Sequence, residues 1–446
     1  MNETTNINAS DLKVAVCGLW HLGSVTVACC AEAGFKTVGF DDDLSRLKNL
    51  KQGSAPLYEP GLDNLIKSCL EQGTLSFTSE PSLISSADIV WITYDTPVDE
   101  NDNADDQFVI SKIIEISNFA KSGAAILISS QLPLGTARKI EHLINRPDLT
   151  ICVSPENLRL GEAISAFKTQ DFVVVGRDSA NADHKVEILV STFCENILWV
   201  SIPSAELVKH SINGFLALSI AFTNELAAIS EQYGANFFEV EKALRSEPRI
   251  GKKAYVRPGE AFAGGTLARD LRYLSTLSEM KGLQTTLVDN VIKSNEHHKT
   301  WHSRKVKQIA IDYLGSKKKI SVAVIGLTYK ENTSTTRRSA ALEMIEDLVT
   351  SGFTVKAFDP SISFDFDYVN TGFTMVEDIF DCIQTADIIC LMRNVEGLAA
   401  TSTSEIELAI HSNEKGSETP KFFIDQLGIR QDLAASSKIK YITFGS

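Results

Sequence analysis

The feature that most constrains the fold is a pattern that occurs twice: an apolar strand, a glycine turn, a helix and a second strand that ends in aspartate. The first copy, KVAVCGLWHLGSVTVACCAEAGFKTVGFDDD, contains Asp41, and the second, which begins KISVAVIGLTYK, reaches Asp359. Strand, helix and strand in this order form a parallel pair with a right-handed crossover. The sequence therefore predicts an α/β fold with two doubly wound, Rossmann-like domains.

A helical stretch separates the two copies. From Ala205 the apolar residues recur with the helical period through AELVKHSINGFLALSIAFTNELAAISEQYG. A helix of this length, about 45 Å, suits a connector or the spine of a dimer. The basic tether GSKKK, Gly315 to Lys319, marks the next boundary. We predict an N-terminal Rossmann-like domain (residues 1–203), a helical central domain (204–315) and a C-terminal Rossmann-like domain (316–446).

The composition argues against several classes of partner. A formal net charge of -14 is unfavourable for binding nucleic acid, because phosphate binding requires a basic face. The first residues, MNETTNINASDLKVAVCG, lack a basic stretch followed by an apolar run, and no apolar window approaches the roughly 20 residues of a membrane span. We therefore expect a cytoplasmic protein that binds neither nucleic acid nor membranes.

Cysteine and histidine usage predicts no metal site. The eight cysteines are scattered and form no CxxC pair, so we expect them to be small core residues in a reducing compartment. His297, His298 and His302 are close in sequence, but we interpret them as a solvated helix face.

The first glycine turn, Gly18 to Gly23, has the position of a GxGxxG dinucleotide fingerprint. Glycine at the first position lets the turn close, and the following helix N-terminus offers backbone N–H groups to a pyrophosphate. Asp41 is placed to accept hydrogen bonds from an adenosine ribose, which favours NAD over NADP. The middle glycine is replaced by Trp20, so a packing turn without a cofactor stays an alternative.

Several further motifs occur in a characteristic order. They are LYEPGL, YDTPVDENDNAD, SQLPLGT, SPENLRLGEA, AELVKHSINGFLALSIAFTNE, RIG, PGEAFAGGTLARD and GLTYKENTSTTRRSA. Together they resemble the motifs of the UDP-glucose/GDP-mannose dehydrogenase family. The resemblance implies NAD as the cofactor, a nucleotide sugar as the substrate, and a homodimer or higher homo-oligomer built on the helical core. Family members oxidise the C6 alcohol in two hydride transfers and hold the intermediate on a cysteine.

The resemblance also implies roles for individual residues. Lys209 and Asn213 would stabilise the oxyanion, Asp270 would assist proton or water chemistry, and Glu156 is the carboxylate of the SPE motif. The implied cofactor-binding residues are Gly18, Gly23, Asp41, Arg46, Thr96, Ser130 and Arg337. The implied substrate-binding residues are Arg249, Tyr255, Gly259 and Lys330. Alternatives stay open: Lys209 as a solvent-facing lysine, Asp270 as a helix N-cap, and Arg249 and Arg337 as surface charges.

The chain departs from the family at the nucleophile. Without a gap from Pro258 to Asp270, Thr266 has the place of the catalytic cysteine, and a shift by one residue puts Leu267 there instead, so no thiol is available in either case. A threonine hydroxyl is a poor nucleophile compared with a thiol unless a base is in reach. Further changes include Gln131, Leu160, Ser219, Arg269 and Leu427.

Three functions follow from this departure. The first is NAD-dependent oxidation of a UDP-glucose-like nucleotide sugar that stops after one hydride transfer. The second is the full four-electron oxidation through an aldehyde hydrate, without a thioester. The third is a non-catalytic protein that binds a sugar nucleotide or a dinucleotide.

Overall fold

The computed structural model describes residues 11–97, 104–156, 158, 160–178, 184–262, 266–315, 319–328, 336, 339–362, 372–395, 397–398, 401–411 and 421–445. The chain divides into two compact units, Met1–Ile212 and Asn213–Ser446. The boundaries of the three predicted domains stay a prediction.

The described part of the first unit contains one parallel-type sheet. Its strands are β1 (Lys13–Cys17), β2 (Lys36–Phe40), β3 (Leu75–Thr78), β4 (Ile89–Ile92), β5 (Ala125–Ile128), β6 (Thr150–Val153), β7 (Val173–Gly176) and β8 (Ile197–Val200). Their order is β3-β2-β1-β4-β5-β6-β7-β8, and only the β6–β7 pair is antiparallel. The order from β3 to β6 is that of a doubly wound sheet, as predicted.

Helices connect these strands. They are α1 (His21–Glu32), α2 (Leu44–Lys51), α3 (Leu62–Glu71), α4 (Asp106–Ser117), α5 (Thr136–Ile144), α6 (Ala163–Lys168) and α7 (His184–Ser191), with a 3-10 turn at Pro81–Ser86. The long helix α8 (Ile202–Tyr233) starts in the first unit and ends in the second.

The described part of the second unit begins with helices and continues with a second sheet. Helix α8 is followed by α9 (Phe237–Ser246), α10 (Thr266–Met280), α11 (Thr286–Lys299) and α12 (Trp301–Leu314). The strands are β9 (Ser321–Ile325), β10 (Thr354–Phe358), β11 (Thr374–Met375), β12 (Ile388–Leu391), β13 (Lys421–Asp425) and β14 (Ile439–Ile442). They are parallel in the order β11-β10-β9-β12-β13-β14. The remaining helices are α13 (Ala340–Thr350), α14 (Ile379–Ile383) and α15 (Thr403–His411), with a 3-10 turn at Gln431–Ala435.

Both sheets are buried on both faces, which explains why their strands are continuously apolar. In β1, Val14 and Val16 join one core cluster, while Ala15 and Cys17 join the cluster on the opposite face. The strand β9 alternates between two clusters in the same way. The predicted fold class is therefore confirmed.

Two expectations from the sequence need correction. Helix α8 is long and apolar enough to cross a membrane by length and composition, and 33% of its most apolar window is buried. The core helix of a soluble protein passes the same test, so this helix alone does not indicate a membrane. The interpretation of a solvated histidine face is wrong, because His298 and His302 are 7% and 4% exposed. Burial lowers the pKa of His302 to about 3.

The cysteines are core residues, as predicted. All eight are free and buried. Burial raises the pKa of the Cys17 and Cys390 thiols far above the ordinary range. No cysteine is therefore placed to act as an exposed, ionised nucleophile.

Candidate functional site

The first glycine turn joins β1 to α1. Gly18 has a φ of +94°, and a Cβ on it would lie 2.7 Å from the ring and the backbone nitrogen of Tyr94. A Cβ on Gly23 would lie 1.9 Å from the carbonyl oxygen of Gly18. Both positions therefore require glycine for steric reasons. The N-terminus of α1 that follows presents backbone N–H groups.

Asp41 lies just after β2 and is 3% exposed. Its carboxylate accepts hydrogen bonds from the Leu19 N–H (2.6 Å), the Asp43 N–H (2.9 Å) and Arg46 Nη1 (2.7 Å). An ionised carboxylate offers about four acceptor positions, so capacity is left for a further donor such as a ribose hydroxyl. The Arg46 guanidinium also lies 5.2 Å from the ring centre of Trp20.

A cleft of about 570 Å³ surrounds this turn. It is lined by Gly18, Trp20, Asp41, Asp42, Asp43, Arg46, Tyr94, Asp95, Pro97, Phe108 and Lys112. Its volume lies in the range of small-molecule sites. Among the described residues, the buried Tyr94 hydroxyl and Arg46 Nε have no hydrogen-bond partner. The adenosine diphosphate part of a dinucleotide requires free acceptor capacity, helix N–H groups and unsatisfied donors, and this cleft offers all three. The residues therefore fit the predicted cofactor.

A second, small cavity of the first unit collects residues from separate motifs. It holds about 30 Å³, room for roughly one water molecule. Its polar lining includes Ser130, Gln131, Glu156, Glu206, Lys209 and His210. Lys209 Nζ donates to the backbone oxygen of Glu156 at 2.6 Å, and the Thr96 hydroxyl donates to that of Gln131 at 2.5 Å. The ammonium group of Lys209 is thus engaged within the protein, and the solvent-facing alternative is wrong.

In the second unit, Asn213 and Asp270 form a buried pair. Asn213 Nδ2 donates to Asp270 Oδ2, and the two residues are 6% and 0% exposed. Asp270 is the fifth residue of α10, so the alternative that it is a helix N-cap is wrong. Thr266 is the exposed first residue of the same helix, about one turn before Asp270.

Four side chains for which the sequence suggests no site role hold the backbone of segment 259–262 by hydrogen bonds. Asn224 accepts from the Gly259 N–H at 3.0 Å and donates to the Glu260 backbone oxygen at 3.3 Å. Asn295 accepts from the Phe262 N–H and donates to the Phe262 backbone oxygen, both at 2.9 Å. His298 Nε2 and Gln426 Nε2 lie 2.7 and 3.0 Å from the Gly259 oxygen. Asn224 lies near the end of the motif AELVKHSINGFLALSIAFTNE, so the sequence offers a signal for it. The other three residues lie outside the quoted motifs.

Two of the predicted substrate-binding residues, Arg249 and Tyr255, have exposed side chains. The Arg249 side chain is 87% exposed and pairs with Glu247, and Tyr255 is 57% exposed. Within a single chain, the alternative that Arg249 is a surface charge therefore stays open. Lys330 and Arg337 lie outside the described residues.

Comparison with protein-family models identifies three consecutive domains of one family. Residues 12–194 match the NAD binding domain of the UDP-glucose/GDP-mannose dehydrogenase family, residues 203–297 its central domain, and residues 323–415 its UDP binding domain. The first match confirms NAD as the cofactor. The third supports a nucleotide sugar as the substrate.

Individual relatives agree with this assignment. The chain is 32% identical to the UDP-glucose 6-dehydrogenase TuaD of Bacillus subtilis over 354 residues, 78% of this chain and 76% of that protein. It is 28% identical to a UDP-glucose 6-dehydrogenase of Rhizobium meliloti over 97% of this chain and 99% of that one. In fold, it matches a UDP-D-ManNAc dehydrogenase structure from Pyrococcus horikoshii with a TM-score of 0.82 at 23% identity, over 97% and 99% of the two chains. The chain therefore belongs to the UDP-glucose/GDP-mannose dehydrogenase family of NAD-dependent oxidoreductases that act on nucleotide sugars.

Proposed function

We propose that the chain oxidises the C6 alcohol of a UDP-linked sugar, with UDP-glucose as the reference substrate, and releases the product after one hydride transfer. The alcohol loses a hydride to NAD and a proton to the protein or solvent, and becomes an aldehyde. The observation that carries the proposal is the absence of a usable thiol. Thr266 begins α10 where the family has its cysteine, and all eight cysteines are buried. Nothing then retains the aldehyde covalently for a second oxidation.

The cofactor-binding residues follow from the first unit. Gly18, Gly23, Asp41 and Arg46 would hold the adenosine diphosphate part, while Thr96 and Ser130 would lie toward the reactive end. When bound, NAD supplies the acceptor for the hydride. Arg337 is proposed for the cofactor by family resemblance alone.

The proposed catalytic residues would stabilise the charge that develops in the reaction and would assist proton transfer. Lys209, fixed by its bond to the Glu156 backbone, would stabilise the oxyanion that forms at the alcohol oxygen. The Asn213–Asp270 pair holds a carboxylate in a buried position, where it could orient a water molecule or take a proton. Lys330, Gly259, Tyr255 and Arg249 are proposed to bind the sugar nucleotide.

The decisive experiment counts NADH per molecule of UDP-glucose consumed and identifies the product by mass spectrometry. We expect one NADH and an aldehyde from the native chain. Thr266→Cys restores a thiol and should move the yield toward two NADH and an acid, while the matched control Thr266→Ser should not. Two NADH and an acid from the native chain would instead support the aldehyde-hydrate route. Stabilisation by NAD without NADH formation across a sugar-nucleotide panel would support a non-catalytic binder.

We also propose that the chain forms a homodimer or higher homo-oligomer in the cytoplasm. Phe215, Phe222 and Ile229 recur every seven residues on α8 and are 67%, 52% and 55% exposed. A helix face of this kind suits burial against a second copy. Light scattering gives the mass in solution, and a monomer would contradict the proposal.

A further inference from the structure

Two buried glutamates make the same contact at two different helix starts. Glu59 accepts from the N–H groups of Gly161 and Ala163, both at 2.8 Å, at the start of α6. Glu206 accepts from those of Gly135 and Ala137, both at 2.8 Å, at the start of α5. In each case the carboxylate satisfies two backbone donors that the helix itself leaves unpaired.

Only the Glu59 contact reaches the glycine turn. His21 Nε2 lies 2.9 Å from Glu59 Oε2, and the Glu59 side chain is 1% exposed. His21 is the first residue of α1 and belongs to the turn that would hold the dinucleotide. Both Glu59 oxygens accept from backbone N–H groups, and we assign Nε2 of His21 as the donor of the third bond. One carboxylate thus joins the cofactor turn to the start of α6, which follows Glu156 closely in sequence.

We propose that His21 and Glu59 are positioning residues that couple NAD binding at the glycine turn to the order of the first turn of α6. A bound dinucleotide restricts the turn and therefore the His21 ring. The ring holds the Glu59 carboxylate, and the carboxylate holds the N–H groups of Gly161 and Ala163. The proposal depends on NAD binding and not on the identity of the sugar or the number of oxidation steps.

Amide hydrogen exchange, resolved to single residues by NMR, tests the coupling without any turnover. In the native chain, saturating NAD should slow exchange at Gly161 and Ala163 about tenfold or more, within the range typical of coupled sites. His21→Phe keeps an aromatic ring but removes the donor, and NAD should then leave both amides unchanged even at saturation. His21→Gln places an amide N–H near the position of Nε2 and should restore the effect.

The Glu206 contact supplies the internal control. Exchange at Gly135 and Ala137 should respond to NAD identically in the native chain and in both variants. The proposal is wrong if NAD slows Gly161 and Ala163 equally in His21→Phe, if His21→Gln fails to restore the effect, or if the native chain shows no effect. Failure of UDP-glucose oxidation would overturn the proposed function and leave this measurement intact.

Discussion

The two glycine turns of the molecule share one backbone device. Gly326 has a φ of +86°, and a Cβ on it would lie 2.8 Å from the backbone nitrogen of Arg393, much as Gly18 meets Tyr94. Asp359 is 4% exposed and accepts from the Leu327 N–H at 2.6 Å, as Asp41 accepts from Leu19. In both sheets the acid after the second strand therefore locks the turn after the first.

The turns differ in what else the acid binds. The oxygen of Asp359 that binds the turn also accepts from the Thr328 N–H at 3.0 Å. Asp41 instead pairs with Arg46, and that arginine lies against Trp20 beside the cleft. In both sheets, the acid at the end of the second strand therefore has a structural role, because it fixes the turn after the first strand. The arginine, the tryptophan and the cleft are what distinguish the cofactor turn.

The largest expected effect comes from adding a Cβ at Gly18 or Gly326. Gly18→Ala and Gly326→Ala should each lower the free energy of unfolding by about 3 kcal/mol or more, because a positive φ and a steric clash add. Thermal unfolding with and without NAD separates the two turns. Folded Gly18→Ala should lose its stabilisation by NAD, whereas folded Gly326→Ala should keep it. Loss of the NAD effect in both variants would contradict the distinction.

Removing one charge should separate the turns more finely. Asp41→Asn removes the buried carboxylate charge that pairs with Arg46 and should raise the Kd for NAD about ten- to a hundredfold, since hydrogen bonds to charged groups contribute about 1.5–3 kcal/mol. Asp359→Asn breaks the equivalent lock and should destabilise the fold while leaving that Kd within about twofold. Calorimetric titration with NAD measures both, and equal weakening in the two variants would show that Asp41 acts only as a lock.

The sequence predicted the turns well because their cause is local. The local sequence shows each part of a turn: a buried strand, a glycine that must adopt a positive φ, and an acid after the next strand. Both sheets formed as expected. The SPE and central-helix motifs drew attention to Glu156 and Lys209, and Lys209 Nζ donates to the Glu156 backbone oxygen. The catalytic roles predicted for the two residues stay predictions.

The failures have a different physical origin. The sequence suggests a solvated helix face for His298, yet it is buried against the Gly259 oxygen, 39 residues away. Glu59 accepts from residues more than 100 positions later in the chain. Such partners depend on how the elements pack, so no local sequence pattern predicts them. The Trp20–Arg46 contact is similar, since the sequence shows Trp20 only as the residue that replaces the middle glycine of the fingerprint.

The smallest expected effect tests that contact. Trp20→Leu keeps an apolar side chain but removes the ring over which Arg46 lies, and a cation–π contact of about 0.5–1 kcal/mol corresponds to a two- to fivefold rise in the Kd for NAD. Trp199→Leu is the matched control, because Arg177 lies 3.8 Å from the Trp199 ring centre but neither residue lines the cleft. Titration of both variants should show weaker NAD binding for Trp20→Leu alone. Tighter binding by Trp20→Leu would mean that the indole obstructs the dinucleotide, and the tryptophan would then be a barrier that the cofactor must displace.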